Sequence, residues 1–344
     1  MRLFAIAVVL AACHGDDAPS IPGEAAVEYP PPDPDAGIPN TPNQWVWVPV
    51  DGTTCANGTP AGFGINRAAA AGGNLFVYFE GGGACWDTAT CTANPPLAVN
   101  LDVTYDQAHL ATDTAGLVPN RTAGQPLATT TYIFVPYCTA DLHAGTNVMA
   151  YPGGPTIHHT GATNTQKFVD LIAKEFPAPP TVWVIGSSAG GYGATLDFHR
   201  FAQHWSNVHL MEDSSPFIPF VAAYDKLTTA WKIAFPPNCT GCETSFTAVF
   251  DAVVADNPNS RIGLMTWDDD AVIKQYFGYT SSLAPIQDDL ITNHFAHPNT
   301  KVFEATGTNH TMFGTLNVTS HGVVAGTWLT QWLLGDAAWA TVRP

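Results

Sequence analysis

The sequence predicts an α/β domain, a mostly parallel sheet with helices on both faces. Three observations predict it. Short apolar stretches rich in β-branched residues recur along most of the chain of 344 residues. Helix-like segments separate several of them. The glycine- and serine-rich turns fall directly after the apolar stretches, where parallel sheets present ligand sites.

In order, the strand-like stretches are 74–79, 131–135, 181–185, 209–211 with its flanks, 262–266 and 301–305. The segment 165–176 is amphipathic, 190–205 follows a strand directly, and 271–277 and 323–334 also read as helices. Neither a repeat nor a second linker interrupts residues 43–344, which are expected to form one catalytic domain.

Residues 1–12 read as an address. Arg2 precedes an unbroken apolar run of ten residues, long enough for export and too short to span a bilayer. The run ends Leu10-Ala11-Ala12-Cys13, which resembles the lipobox of bacterial lipoproteins. The resemblance implies cleavage before Cys13, lipid on its sulfur, and a place in the bacterial cell envelope, at the outer membrane or cell surface; the alternative is an ordinary secretory signal and a secreted protein. Lipidated Cys13 would be the only membrane contact. Residues 13–42 carry eight prolines and six acids but no Lys or Arg, the composition of an extended tether.

Charge narrows the partners. Twelve Lys and Arg stand against 29 Asp and Glu, a formal net charge of −17. Nucleic acid is excluded, because its binding needs a basic face to displace phosphate counterions. A polyanionic substrate would be repelled for the same reason. Besides Cys13 there are six cysteines, Cys55, Cys85, Cys91, Cys138, Cys239 and Cys242, an even number that suits an oxidising compartment. Three disulfides allow 15 pairings. Cys85/Cys91 and Cys239/Cys242 are close enough for local bridges, and Cys55/Cys138 would be the long one. No metal site is expected, since only Cys239-Thr-Gly-Cys242 has the paired spacing that a four-cysteine zinc site uses twice.

Three turns carry chemistry. After the stretch 181–185 comes Gly186-Ser187-Ser188-Ala189-Gly190, a G-x-S-x-G pattern between a strand and a helix. Its glycines permit a strained turn that lifts the Ser188 hydroxyl out of the sheet as a nucleophile. After 75–79 comes Glu80-Gly81-Gly82-Gly83, whose backbone N–H groups, with that of Ala189, can converge on an oxyanion. After 301–305 comes Asn309-His310, placed late in the chain where the Ser, Asp, His order of α/β-hydrolases puts the base. The acid should follow the penultimate strand, at Asp268, Asp269 or Asp270. One of the three is expected to hold the His310 tautomer and another to cap the helix starting near Ala271. Trp86, Asp141, His158, His159 and Tyr192 are candidates for the pocket wall, with plain packing as the equal alternative.

Together, Phe79-Glu80-Gly81-Gly82-Gly83-x-Cys85, Val135-Pro136-Tyr137-Cys138-Thr139-x-Asp141, Gly186 to Gly191, Asp213-Ser214 and Asn309-His310 resemble the pectin acetylesterase/Notum family. The likeness runs from about Trp45 to Phe313. It implies an α/β-hydrolase-like fold and cofactor-free hydrolysis of carboxylic esters. Carried onto this chain, Ser188 is the nucleophile, His310 the base, and Gly82, Gly83 and Ala189 the oxyanion donors. Asp270 is the favoured acid, with Asp269 second. The family's disulfides suggest Cys55–Cys138, Cys85–Cys91 and Cys239–Cys242. The expected substrate is an extracellular acyl ester, most simply an acetylated carbohydrate of little charge. The alternatives are a lipase-like or polyester-degrading esterase, and a non-catalytic surface-binding protein on the same fold.

Overall fold

The computed structural model describes residues 37–117, 119, 121–220 and 223–344. The expected signal peptide, Cys13 and all but the last residues of the expected tether lie outside the described residues. The elements run β1 (Trp45–Thr54), β2 (Pro60–Asn66), β3 (Leu75–Phe79), α1 (Thr88–Cys91), α2 (Gln107–Asp113), β4 (Thr131–Val135), β5 (Asn147–Ala150) and β6 (Thr156–His159). There follow α3 (Gly161–Glu175), β7 (Val182–Ser187), α4 (Ala189–Leu196), α5 (Phe198–His204), β8 (Val208–Asp213), α6 (Tyr224–Trp231) and α7 (Phe246–Asp256). The last are β9 (Ile262–Trp267), α8 (Ala271–Phe277), α9 (Ala284–Asn293), β10 (Thr300–Ala305), β11 (Thr319–Ser320), β12 (Val323–Val324) and α10 (Ala325–Leu334).

Eight strands form one sheet in the order β1-β2-β4-β3-β7-β8-β9-β10. The β1–β2 and β2–β4 pairs are antiparallel, and every pair from β4 to β10 is parallel. This is an α/β-hydrolase-like fold. The parallel strands read as continuous apolar runs because both faces are covered. Along β7, Val182 and Val184 enter a core roofed by α3, α4, α5 and α7, while Trp183 and Ile185 enter a second one under α10, with Trp328 and Trp332. The strands β7, β8 and β9 are buried at every residue, so their C-terminal ends are fixed points.

The segment 190–205 is two helices, not one. The first, α4, is buried along its whole length, and the chain turns at Asp197, whose carboxylate takes Arg200 Nε at 2.6 Å. The final helix starts at Ala325 because Val323 and Val324 pair with Ser320 and Thr319. Three pairs of cysteines are bonded: Cys55–Cys138, Cys85–Cys91 and Cys239–Cys242, with Cα separations of 4.9, 5.0 and 5.8 Å.

Candidate active site

The turn after β7 holds Ser188 at φ 55°, ψ −125°, a strained conformation for a residue with a side chain. Such strain costs roughly 1–3 kcal/mol and persists only where the surroundings enforce it. Here the Ser188 N–H donates to the Asp213 carbonyl at 2.7 Å, and Ser188 opens α4 as its N-cap residue. Gly190 must be glycine, because a Cβ there would run into the carbonyl oxygens of Phe79 and Glu80. A Cβ on Gly81 would sit 2.5 Å from Ser187 O and 3.1 Å from Ser188 Cβ. The glycine loop after β3 therefore lies against the serine turn.

That loop is held from both sides. The Val99 N–H donates to Gly82 O at 2.9 Å and the Ala84 N–H to Leu97 O at 3.1 Å, so Gly83 faces Ala98 in a short antiparallel bridge. Tyr137 Oη donates to Gly83 O at 2.8 Å, and Tyr276 Oη, on α8, donates to Leu97 O. Among the described residues, the N–H groups of Gly82, Gly83 and Ala189 reach no acceptor.

Below the loop, Glu80 is half-buried. Its Oε2 accepts the Tyr137 N–H at 2.7 Å and Tyr105 Oη at 2.9 Å, and its carbonyl accepts His143 Nε2–H at 2.9 Å. Burial, with the charge of Asp113 beside it, pushes the Glu80 carboxyl up to about 8. Burial likewise pushes His143 down to about 4, which keeps it a neutral donor.

The three acids after β9 have three different partners. Asp268 Oδ1 accepts the Gly307 N–H at 2.9 Å. Asp269 takes the Leu283 N–H at 2.8 Å and Lys274 Nζ at 3.1 Å. Asp270, fully buried, takes His310 Nδ1–H on Oδ2 at 2.7 Å. Its Oδ1 accepts the N–H groups of Val272 and Ile273 at 2.9 and 3.0 Å. The expected division of labour, one acid on the histidine and another capping the helix, is therefore wrong: the two oxygens of Asp270 do both. His310 is one-fifth exposed, and its buried Nε2 has no hydrogen-bond partner among the described residues.

Asp213, at the end of β8, joins these parts. Its Oδ2 accepts Ser187 Oγ at 2.8 Å and the Phe313 N–H at 3.1 Å, and its Oδ1 accepts the Met312 N–H at 2.7 Å. Next to it, Ser214 Oγ accepts the Thr311 N–H at 2.9 Å. Burial raises the Asp213 carboxyl to about 6, against the opposing pull of those donors and of His310. Sequence reasoning noted Asp213-Ser214 only within the family pattern. The available signal was its position, an acid at the C-terminal end of a buried strand next to the Ser188 strand.

The pocket-wall candidates are mostly structural. Asp141 is buried and staples its loop through Thr139 Oγ1 and the N–H groups of Gly145 and Gly161. Tyr192 packs among Phe217, Phe246 and Phe277 and donates to Pro216 O. Trp86 packs edge-on against Phe220. Among the described residues, Cys85, Cys91 and His159 are the one group with ligand atoms clustered within 4.8 Å. The two sulfurs are bonded to each other, and His159 commits Nδ1 to Thr139 O and Nε2 to Tyr151 Oη.

A family model described as pectinacetylesterase matches residues 44–235. The chain belongs to the pectinacetylesterase family. The matched stretch takes in Glu80–Gly83, Ser188 and Asp213, and stops before Asp270 and His310. Two curated relatives are the palmitoleoyl-protein carboxylesterase notum2 of Xenopus laevis, 27% identical over 150 residues, and palmitoleoyl-protein carboxylesterase NOTUM of Mus musculus, 26% over 153. Those alignments cover 43% and 44% of this pectinacetylesterase-family chain and only 30% and 29% of the relatives' own length. Two crystal forms of the Wnt deacylase Notum from Drosophila share the fold, at TM-scores of 0.65 and 0.62 and 16% identity. They align over 88% and 87% of this chain and 96% and 95% of theirs.

Proposed function

We propose that this member of the pectinacetylesterase family is a serine carboxylesterase that works through Ser188, His310 and Asp270. The observation that carries the reading is the 2.7 Å hydrogen bond from His310 Nδ1–H to buried Asp270. It commits Nδ1 as the donor and leaves Nε2, which has no partner among the described residues, as the nitrogen that can act as general base. The turn holding Ser188 and the loop holding His310 share one anchor in Asp213, which supports their action on one substrate.

In this mechanism His310 Nε2 takes the Ser188 proton as the oxygen attacks the ester carbonyl. The unsatisfied N–H groups of Gly82, Gly83 and Ala189 receive the oxyanion, an interaction worth roughly 3–4 kcal/mol per donor. His310 then protonates the leaving alcohol, and water hydrolyses the acyl-enzyme by the reverse steps.

The substrate we favour is an extracellular acetylated carbohydrate of low charge. Pectinacetylesterase membership supports an acetyl ester, and the net charge of −17 disfavours a polyanionic chain. The disulfides and the lipobox-like Leu10 to Cys13 support an exported, lipid-anchored enzyme. Among the described residues no helix is long and apolar enough to cross a membrane. The palmitoleoyl-protein carboxylesterases among the relatives favour a second reading, removal of a long acyl chain.

The test is hydrolysis of p-nitrophenyl acetate, butyrate, octanoate and palmitate by the full chain and by Ser188→Ala. Activity lost in Ser188→Ala, with acetate preferred, is the expected result. A preference for octanoate or palmitate selects the long-chain reading. No hydrolysis of any ester by the wild type sinks the esterase reading and leaves a binding role on this fold.

A further inference from the structure

Resting on the Ser188–His310 reading, we propose that Asp213 is a positioning residue, a clasp that sets the base loop against the nucleophile turn. The two loops come from different strands, β7 and β10, and neither strand touches the other, since β8 and β9 lie between them. Something must carry the alignment across that gap. Asp213 ends the strand next to β7 and reaches both loops at once. Toward the nucleophile it takes Ser187 Oγ at 2.8 Å, and its own carbonyl takes the Ser188 N–H at 2.7 Å. Toward the base it takes the N–H groups of Met312 and Phe313 at 2.7 and 3.1 Å, two and three residues past His310.

The chemistry of the joint needs a carboxylate. Three donors point at two oxygens, and all three are neutral groups that only donate here. An amide in its place offers one oxygen and an NH₂ group, so at least one donor must face another donor. A neutral carboxylic acid still accepts the two backbone N–H groups, but its proton needs an acceptor, and it finds one only if Ser187 Oγ turns round and stops donating. Among the described residues the titratable group whose charge acts on Asp213 is His310, which favours the carboxylate. Glu212, its neighbour on β8, turns to Thr195 of α4, and Asp270 turns to His310 and the start of α8. The clasp therefore loosens on its nucleophile side when Asp213 takes up a proton on the acid side of neutrality.

The experiment measures kcat, KM and their pH dependence on the best p-nitrophenyl ester for the wild type, Asp213→Asn, Ser187→Ala, Ser214→Ala and Ser188→Ala. Asp213→Asn is expected to lower kcat about 100-fold, the scale of a 1 Å misplacement, with KM within about twofold. Ser187→Ala and Ser214→Ala each remove one hydrogen bond of the joint and should lower kcat roughly 3- to 10-fold. The acid limb of the wild-type kcat profile should be steeper than a single protonation allows, and that of Asp213→Asn should fit a single one. If Asp213→Asn does not fold, the two serine variants carry the test through the same split between kcat and KM. The clasp is overturned if the folded variants keep kcat within about twofold while Ser188→Ala is dead. It is also overturned if kcat falls and the acid limb keeps its wild-type steepness. A wild type inert on every ester removes the esterase reading itself, a result recognisable because Ser188→Ala then changes nothing.

Discussion

The two sides of the candidate site are built by different means. On the oxyanion side, the glycine loop rests on a polar cluster of Glu80, Tyr105, Tyr137 and His143. It is flanked by the bonded pairs Cys85–Cys91 and Cys55–Cys138. On the base side no cysteine occurs after Cys242, and His310 and its loop depend on two carboxylates, Asp270 and Asp213. Both sides are packed, since Met312 and Phe313 of the base loop are as buried as Tyr137 and His143, but one is also tied covalently. The other is aligned by a few directional hydrogen bonds, so it should be the side that a single substitution disables without unfolding the protein.

The sharpest break is Asp270→Asn. The amide shape fits, yet it can no longer both accept from His310 and cap α8, and the wrong imidazole tautomer is stabilised. We expect kcat to fall roughly 10⁴-fold with little change in melting temperature, read by steady-state kinetics and thermal unfolding. The opposite pattern is expected on the covalent side. Replacing Cys55 and Cys138 by serine opens a bridge spanning 83 residues and should cost about 4.5 kcal/mol of stability, read by urea unfolding. Replacing Cys239 and Cys242, three residues apart, should cost only about 1.6 kcal/mol and leave kcat unchanged.

The polar cluster under the glycine loop is tested by a pH dependence. Glu80 has its carboxyl raised to about 8 in the folded protein, from an ordinary value of 4.5, so the fold holds its proton more tightly than the unfolded chain does. Its contribution is fully present below about pH 4.5 and is lost as pH rises through about 8. Glu80→Gln mimics the protonated acid and keeps an oxygen for Tyr105 and Tyr137. It should match the wild type in melting temperature at pH 5 and exceed it at pH 9. A wild type that stays the more stable at pH 9 would mean that Glu80 is held as a carboxylate.

The sequence made the parallel centre of this fold legible because buried strands are uninterrupted apolar runs, and 131–135 and 271–277 match their elements residue for residue. The antiparallel edge was not legible. The first strand, β1, carries Asp51 and Gly52 and is only partly buried, so it lacks both the apolar run and a clean alternation. Helix α7 is absent from the stretches read as helices, although its buried Phe246, Val249, Phe250, Val253 and Val254 recur at helical spacing. In the site, Ser188 and His310 stood out through their places after strands. The clasp did not, because an aspartate that accepts backbone N–H groups 99 and 100 residues away leaves no local pattern. The dual use of Asp270 was hidden for a related reason: spacing assigns a residue one task, whereas a carboxylate has two oxygens.

Those two oxygens have one more effect. Asp270 fixes the start of α8, and six positions on, Tyr276 hangs its hydroxyl on Leu97, the residue whose carbonyl receives Ala84 beside the glycine loop. At 1.5 Å of rise per residue, that helix is a rod of about 9 Å laid from the histidine to the oxyanion loop. It works as a gauge block: the spacing between Asp270 and the tyrosine's anchor at Leu97 is set by a count of residues. A single residue inserted in α8 would swing Tyr276 by about 100° off its target and leave the gap without a standard.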